Sequence, residues 1–251
     1  MELRKRLLEI LEPSCAGHVV CDVRIGLGYT AVQLDDGRTG VAYTLSRGSF
    51  SGCSAFTGQR PVSGRAALDL LQYLSSENFI ESSLGLATAN AIANAAPRQG
   101  VTGDVSQAVK FLSTDRVAMV GFFAPLVAAL QDRVADLEIF EEHSGSLAHL
   151  RPSSEAASVL PTCDVALITA TSIVNDTIDE LLEAARHCRE TVVLGPSTPL
   201  VSDVFASTAT TWLSGIAVED ADGLLRVVSE GGGTRFFKPF VSKWNVRLTG
   251  D

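Results

Sequence analysis

Between Asp164 and Leu200, two apolar runs each stop in a short loop of small, hydroxyl-bearing residues and pass straight into a helical pattern. The first, Val165–Thr169, opens into Ala170-Thr171-Ser172 and then Asn175-Asp176-Thr177. The second, Thr191–Leu194, ends in Gly195-Pro196-Ser197-Thr198. Short apolar strands alternating with helices imply a parallel sheet covered on both faces, because only burial on both sides tolerates strands without a polar face. In such a sheet, ligands bind outside the carboxyl ends of the strands. This stretch therefore constrains the architecture and points to a place on it, without specifying a reaction.

The 251 residues suit one large or two small domains and can bury a substantial core. An apolar fraction of 46% with 20% charged residues is ordinary for a soluble globular chain. No apolar run approaches the roughly 20 residues that span a bilayer. The start, Met1-Glu-Leu-Arg-Lys-Arg-Leu-Leu-Glu, lacks an apolar export segment, so a cytoplasmic location and no membrane partner are expected. A net charge of −9 argues against nucleic-acid backbones, which require a basic face. The five cysteines (Cys15, Cys21, Cys53, Cys163 and Cys188) are scattered, with no Cys-x-x-Cys pair. Zinc ribbons need close pairs to fix the tetrahedron, so most of these thiols are expected as reduced, small core residues.

Residues 1–12 carry Leu3, Leu7, Leu8 and Leu11 on one helical stripe, which Pro13 ends. Alternating runs over Val19–Ile25, Tyr29–Leu34 and Thr39–Leu45, with an Asp35-Asp36-Gly37 turn, predict an antiparallel meander. Residues 46–63 are a long Gly/Ser-rich loop. Two helices follow, the first with Ser63 as a candidate cap and the second spanning about Glu77 to Ala95. The second is crowded with small residues, Ser83-Leu-Gly-Leu-Ala-Thr-Ala-Asn90-Ala91, and is expected to be the most buried helix of its half. The turn-rich segment Pro97–Asp104 divides the chain into units 1–100 and 101–251.

Beyond it, strands are predicted at Arg116–Gly121, Ala135–Phe140, Val165–Thr169, Val192–Leu194 and Trp212–Val218. Pro125 suits a helix start, and Thr177 with Glu180 forms a potential capping box. At the strand ends, Gly121 can open a crevice, although Gly121-Phe122-Phe123-Ala124-Pro125 lacks Gly-x-Gly-x-x-Gly and so the usual support for a pyrophosphate. Glu141 follows the second strand, where an acid can take a ribose hydroxyl or a hard cation; Glu142, His143 and His149 lie nearby. Thr171, Ser172 and Asn175 offer hydroxyls and an amide ahead of a helix, a setting suited to carboxylate or phosphate. Gly195, Ser197 and Thr198 form a proline-stiffened polar wall beside them. Gly231-Gly232-Gly233 with Arg235 and Lys238 supplies either positive charge on a flap or a hairpin turn. No Ser–His–acid order, paired catalytic carboxylates, Walker loop or His-Glu-x-x-His stands out.

Four stretches, Gly40-Val-Ala-Tyr-Thr-Leu45, Ser83–Ala91, Thr169–Asp179 and Leu194-Gly-Pro-Ser-Thr-Pro-Leu200, resemble an uncharacterised prokaryotic family known as putative heavy-metal chelation. The resemblance covers almost the whole chain in order. It implies an enolase-N-terminal-like α+β domain followed by a Rossmann-like α/β domain, with a cleft between them. The family pattern Thr-Gly-Thr-Thr-x-x-Asn stands here as Thr169-Ala170-Thr171-Ser172-Ile-Val-Asn175, so alanine replaces a glycine and Ser172 keeps the hydroxyl. Enolase activity does not follow, because the metal-bearing barrel needs about 250 residues of its own. The expected function is binding of a small molecule or metal chelate in the cleft, serving heavy-metal or cofactor metabolism. The bound species would be a metal ion or a nucleotide-like molecule. The alternatives are a transferase-like enzyme using a nucleotide-derived cofactor such as S-adenosylmethionine, and a scaffold receiving a partner chain. A homo-oligomer is compatible with the sequence but not derivable from it.

Overall fold

The computed structural model describes residues 2–46, 56, 58–94, 99–142 and 150–248. Most of the Gly/Ser-rich loop, Cys53, Pro97, His143 and His149 lie outside the described residues. The first half comprises α1 (Glu2–Leu11), β1 (Val20–Ile25), β2 (Tyr29–Leu34), β3 (Thr39–Tyr43), α2 (Ala67–Leu71) and α3 (Phe79–Ala93). The second contains β4 (Val101–Thr102), α4 (Val105–Ala108), β5 (Arg116–Val120), α5 (Ala124–Leu130), β6 (Asp136–Glu141), β7 (Leu150–Pro152) and α6 (Ala156–Val159). It continues through β8 (Val165–Thr169), α7 (Thr171–Val174), α8 (Ile178–Ala184), β9 (Glu190–Leu194) and α9 (Ser202–Phe205). Last come β10 (Trp212–Val218), α10 (Ala221–Ser229), α11 (Thr234–Phe237) and β11 (Val241–Arg247).

Leu3, Leu7 and Leu11 of α1 are buried, and a 3-10 turn containing Pro13 ends the helix. The three strands form the antiparallel meander β1-β2-β3, with Gly37 at φ +86° closing the second turn. Asn78 caps α3 by accepting from the Ile80 and Glu81 N–H groups. Twelve of the fifteen residues of α3 are buried, on all sides. Its small side chains let it lie directly on β3: a Cβ on Gly40 would stand 2.1 Å from Ala91 N and 2.3 Å from Ala87 O.

Two expected caps are not formed. Ser63 does not start α2, because a turn with Gly64 at φ +90° follows it and extended Ala66 bridges to Val19 before the helix begins, with Gly64 N–H donating to Val20 O and Ala67 N–H to His18 O. Thr177 does not cap α8; its hydroxyl donates to Asn175 Oδ1 across a turn in which Asp176 has φ +63°.

The second sheet has eight strands in the order β4-β11-β10-β9-β8-β5-β6-β7. Neighbours from β10 to β7 are parallel, whereas β11 and β4 add antiparallel at one edge. Counting from β5, the six parallel strands stand in the order 3-2-1-4-5-6, the dinucleotide-fold arrangement, so the topological switch point falls between β5 and β8. Gly231–Gly233 link α10 to α11 rather than forming a hairpin, and β11 follows.

The two halves interlock at two joints. At the first, Asp179 accepts from the Glu2 and Leu3 N–H groups at 2.8 and 3.0 Å, capping α1 from outside. Buried Arg4 then donates to the carbonyls of Ile173 (2.6 Å) and Val174, closing the end of α7. At the second, Asn90 Nδ2 donates to Val41 O and Ser197 O, and Asn94 Nδ2 to Thr198 O and Ile216 O. Asn94 Oδ1 also accepts from Leu200 N–H at 2.9 Å.

Gly40→Ala should lower unfolding stability by about 3 kcal/mol or prevent folding, since backbone rather than a side-chain tip must yield. Gly28→Ala, with open space around it, should stay within about 0.5 kcal/mol in the same urea titration. For Asp179, burial pushes the carboxyl up, but the N-terminal ammonium, together with the hydrogen bonds from Leu3 and Glu2, outweighs it and holds the pKa below the ordinary value. A depressed carboxylate stabilises the fold above its unfolded pKa of about 3.9 and ceases to as pH falls through the lower folded value. Asp179→Asn should therefore be less stable at neutral pH and lose less on acidification below pH 4, in thermal melts across pH.

Candidate functional site

The strand ends at the switch point are built around two left-handed glycines. Gly121, after β5, has φ +93°, and Gly195, after β9, has φ +111°. Any side chain would be strained at either position, and at Gly121 a Cβ would also meet Thr169 Cβ at 2.9 Å. Gly121 thus lets the β5 turn approach the end of β8. The Phe123 ring lies across both glycines, 3.4 Å from a Cβ on Gly121 and 3.7 Å from one on Gly195. It narrows the crevice and leaves an outer rim of Phe122, Glu141, Thr169 and Thr171.

Glu141 ends β6 with its carboxylate turned onto the β5 loop. Oε2 accepts from Phe122 N–H at 2.9 Å and Oε1 from Glu142 N–H at 2.8 Å. Each oxygen keeps acceptor capacity, since a carboxylate offers about four lone-pair positions. On β8, Thr169 Oγ1 donates to Thr171 Oγ1 at 3.2 Å and accepts from Thr171 N–H. Both threonines are half-buried.

The remaining predicted residues are divided between other tasks. Ser172 is buried and donates its hydroxyl to Thr169 O. Asn175 lies at the far end of α7, where its side-chain carbonyl accepts from Thr177. The expected helix is α8, from Ile178, but the single turn of α7 lies between it and β8, so Thr171 and Ser172 sit within α7 rather than at the N-terminus of α8. Ser197 and Thr198 are 3% and 0% exposed. Ser197 Oγ accepts from Tyr43 N–H at 2.8 Å, and the Ser197 and Thr198 carbonyls accept from Asn90 and Asn94. The polar wall expected from this loop is the joint to β3 and α3. Gly121, Glu141, Thr171 and Gly195 therefore share the strand ends, while Ser172, Ser197 and Thr198 brace them from behind.

Phe122, Phe123, Asn90 and Asn94 are absent from the residues expected from sequence. Each had a signal: consecutive aromatics after a strand-ending glycine in a chain with 6% aromatics, and asparagines four apart in an apolar helix.

Two concavities lie elsewhere. One of about 350 Å³ lies between β1–β2 and α10, where Arg24 is already paired with Asp22. Another, of about 440 Å³, is a shallow groove lined by Val127, Gln131 and Leu137. Neither gathers the strand-end hydroxyls.

A bare metal ion has one candidate cluster among the described residues: His18, Asp35 and Asp36, with donor atoms within 4.8 Å of one another. Arg38 already serves it, donating to Asp36 Oδ2 at 2.7 Å and lying 2.6 Å from His18 Nε2. Because a guanidinium only donates, Nε2 must accept, which leaves the proton on Nδ1 facing Asp35. That arrangement is a satisfied clasp on the hairpin and fits a cation poorly. Soft metals need thiolates, yet burial pushes the thiols of Cys15 and Cys188 up to about 11 and about 12, and raises Cys163 as well.

Comparison with known proteins assigns the family. Residues 104–247 match the DUF364 family and residues 8–93 the DUF4213 family, both described as "Putative heavy-metal chelation". The chain belongs to that family. An uncharacterised protein of Methanocaldococcus jannaschii is 24% identical over 258 residues, covering 98% of this chain and 97% of its own. A DUF364-family protein of unknown function from Pyrococcus horikoshii superposes with a TM-score of 0.85 at 23% identity, covering 98% of this chain and 100% of that one. A third, from Desulfitobacterium hafniense, gives 0.75 at 23% identity over 97% and 98% of the two chains. These structures share the two-domain α/β fold.

Peptide mapping after brief maleimide treatment of the native protein at pH 7 should find exposed Cys21 modified. Cys15, Cys163 and Cys188 should react at least tenfold more slowly until denaturant is added.

Proposed function

We propose that this member of the heavy-metal chelation family binds a small molecule, such as a metal chelate or a nucleotide-derived compound, at the carboxyl ends of β5, β6, β8 and β9. The observation that carries the reading is the switch point between β5 and β8, with Gly121 closing on Thr169 and the Glu141 carboxylate beside them. Three groups of different chemistry converge there: a carboxylate acceptor, a hydroxyl pair and an exposed aromatic, Phe122. A metal handled here is cargo carried by its chelator, because the described side chains offer no open thiolate or imidazole set to hold it directly. The hydroxyls contact the chelator, and Glu141 sets the orientation.

A second reading follows from the same strand order. An acid at the end of the second strand also suits a transferase that holds S-adenosylmethionine by its ribose. We place the protein in the cytoplasm, acting on small molecules rather than nucleic acid or membranes, with a homo-oligomer compatible with its surface. Among the described residues, no helix is long and apolar enough to cross a membrane.

Native mass spectrometry of protein purified without chelators, set against the denatured mass, should show a one-to-one adduct. Thr171→Val and Glu141→Gln should each cut its occupancy at least fivefold. Ser197→Ala should instead lower the melting temperature with occupancy retained. A bare chain, or an adduct indifferent to both rim variants, removes this reading.

A further inference from the structure

We propose that this chain self-associates through β1: two copies pair their β1 strands antiparallel about a two-fold axis at Val23, joining two three-stranded meanders into one six-stranded sheet. The inference specifies a face and a register, and it holds whatever the strand-end crevice binds.

β1 is an edge of its sheet, whose order is β1-β2-β3. The opposite edge is closed by the second half of the chain: Tyr43 N–H donates to Ser197 Oγ, and Val41 O accepts from Asn90. On β1, Gly26 N–H donates to Tyr29 O at 2.9 Å, which makes these two a hydrogen-bonded pair. Antiparallel pairs alternate, so Arg24–Ala31 and Asp22–Gln33 are hydrogen-bonded as well, and Val23 and Ile25 turn their N–H and C=O groups away from β2. Among the described residues, nothing pairs with those outward groups. At Val20 the edge is taken, since Val20 N–H donates to Arg65 O at 2.9 Å and Gly64 N–H to Val20 O at 2.7 Å. At the other end the chain turns back into β2 after Ile25. The open stretch therefore runs from Cys21 to Ile25, with Val23 at its centre.

An open edge invites any strand, and the charges on this one, with the irregularity at Cys21, restrict what can dock. Asp22 and Arg24 share a face, and the Arg24 guanidinium donates to both Asp22 oxygens, at 2.7 and 2.6 Å. A two-fold axis at Val23 sets Asp22 of each copy opposite Arg24 of the other. Those are non-hydrogen-bonded positions, where Cα atoms stand about 4.5 Å apart and side chains meet most closely. The four charges then alternate in sign, and each carboxylate keeps its own guanidinium while gaining a second. A two-fold axis at Ile25, the other residue with outward hydrogen-bonding groups, would set both charges opposite glycines, Gly28 and Gly26. Val19, Ile25 and Leu27, at 37%, 36% and 88% exposure, lie along the same edge, and the Val23 register brings the Leu27 turn of each copy to the Val19 end of the other. Matching of a strand to its own reversed copy is what a second copy of this chain supplies and an unrelated strand does not.

The test is sedimentation equilibrium of the full chain across the micromolar range in low salt. A ladder this short makes a small interface, so a concentration-dependent dimer is expected, weakened by added salt. Asp22→Arg and Arg24→Asp each place like charges opposite one another and should weaken self-association at least tenfold. Mixed in equal amounts, the two variants again face each other with opposite charges and should dimerise within about threefold of the native affinity. Ile25→Pro removes an outward N–H that β2 does not use, so it should also abolish the dimer while the far-UV circular dichroism spectrum stays unchanged. If that variant fails to fold, the charge variants alone decide. A monomer throughout the range, a dimer that both charge reversals leave intact, or a mixture that does not pair overturns the proposal.

Discussion

Two asparagines four residues apart on α3 hold the molecule together as one frame. Asn90 and Asn94 are 1% and 4% exposed, and between them they saturate the carbonyls of Val41, Ser197, Thr198 and Ile216 and the N–H of Leu200. These groups belong to β3, β10 and the loop after β9, three places that would otherwise bring unpaired backbone to a buried boundary. Each backbone group left unpaired in such a place costs about 1–3 kcal/mol, so the amides are as much a condition of the fold as the apolar contacts around them. Only a helix of small residues can bring its own backbone close enough for such short side chains to reach. The composition of α3 and the joint are therefore one feature.

From that joint the position of the crevice follows. With the loop after β9 pinned by Asn90, Asn94 and the Tyr43–Ser197 hydrogen bond, the left-handed Gly195 fixes one end of the rim. Gly121 fixes the other by closing on Thr169. Phe123 spans the two, and Glu141 locks the β5 turn through Phe122 N–H. A rim assembled this way is preorganised, since its polar groups are held by main-chain contacts before any ligand arrives, and less ordering is required on binding. The Arg4 and Asp179 contacts anchor the opposite end of the same boundary by tying α1 to α7 and α8.

The strands and the architecture were legible because burial on a pleated sheet leaves a periodic trace. β8 and β10 match their predicted bounds residue for residue, and the meander follows the alternation of Val19–Leu45. β11 was not legible: Val241-Ser-Lys-Trp-Asn-Val-Arg is half polar, as befits a strand between β10 and the two-residue β4, and it has neither a buried run nor a strict alternation. Of the candidate site, Gly121 and Glu141 were visible from their places at strand ends. From sequence alone Ser197 and Thr198 suit a ligand wall, because a hydroxyl in a turn carries no mark of what faces it. Only the three-dimensional approach of α3 shows that Asn90 and Asn94 lie behind this loop. The caps at Ser63 and Thr177 misled for a similar reason, since local capping preference yields where the backbone is already paired with β1 or bent by Asp176.

The frame formed by the two halves can be tested amide by amide. Native-state hydrogen exchange should be followed at Leu200 N–H and Tyr43 N–H, the main-chain donors that cross the boundary to Asn94 and Ser197. Their opening free energies, extracted across low concentrations of denaturant, should equal those of Val193 in β9 and Val32 in β2, because a single frame opens only by global unfolding. If the boundary amides exchange through an opening several kcal/mol easier while both sheets stay protected, the halves are separable bodies, and a rim held rigid from behind by α3 is wrong.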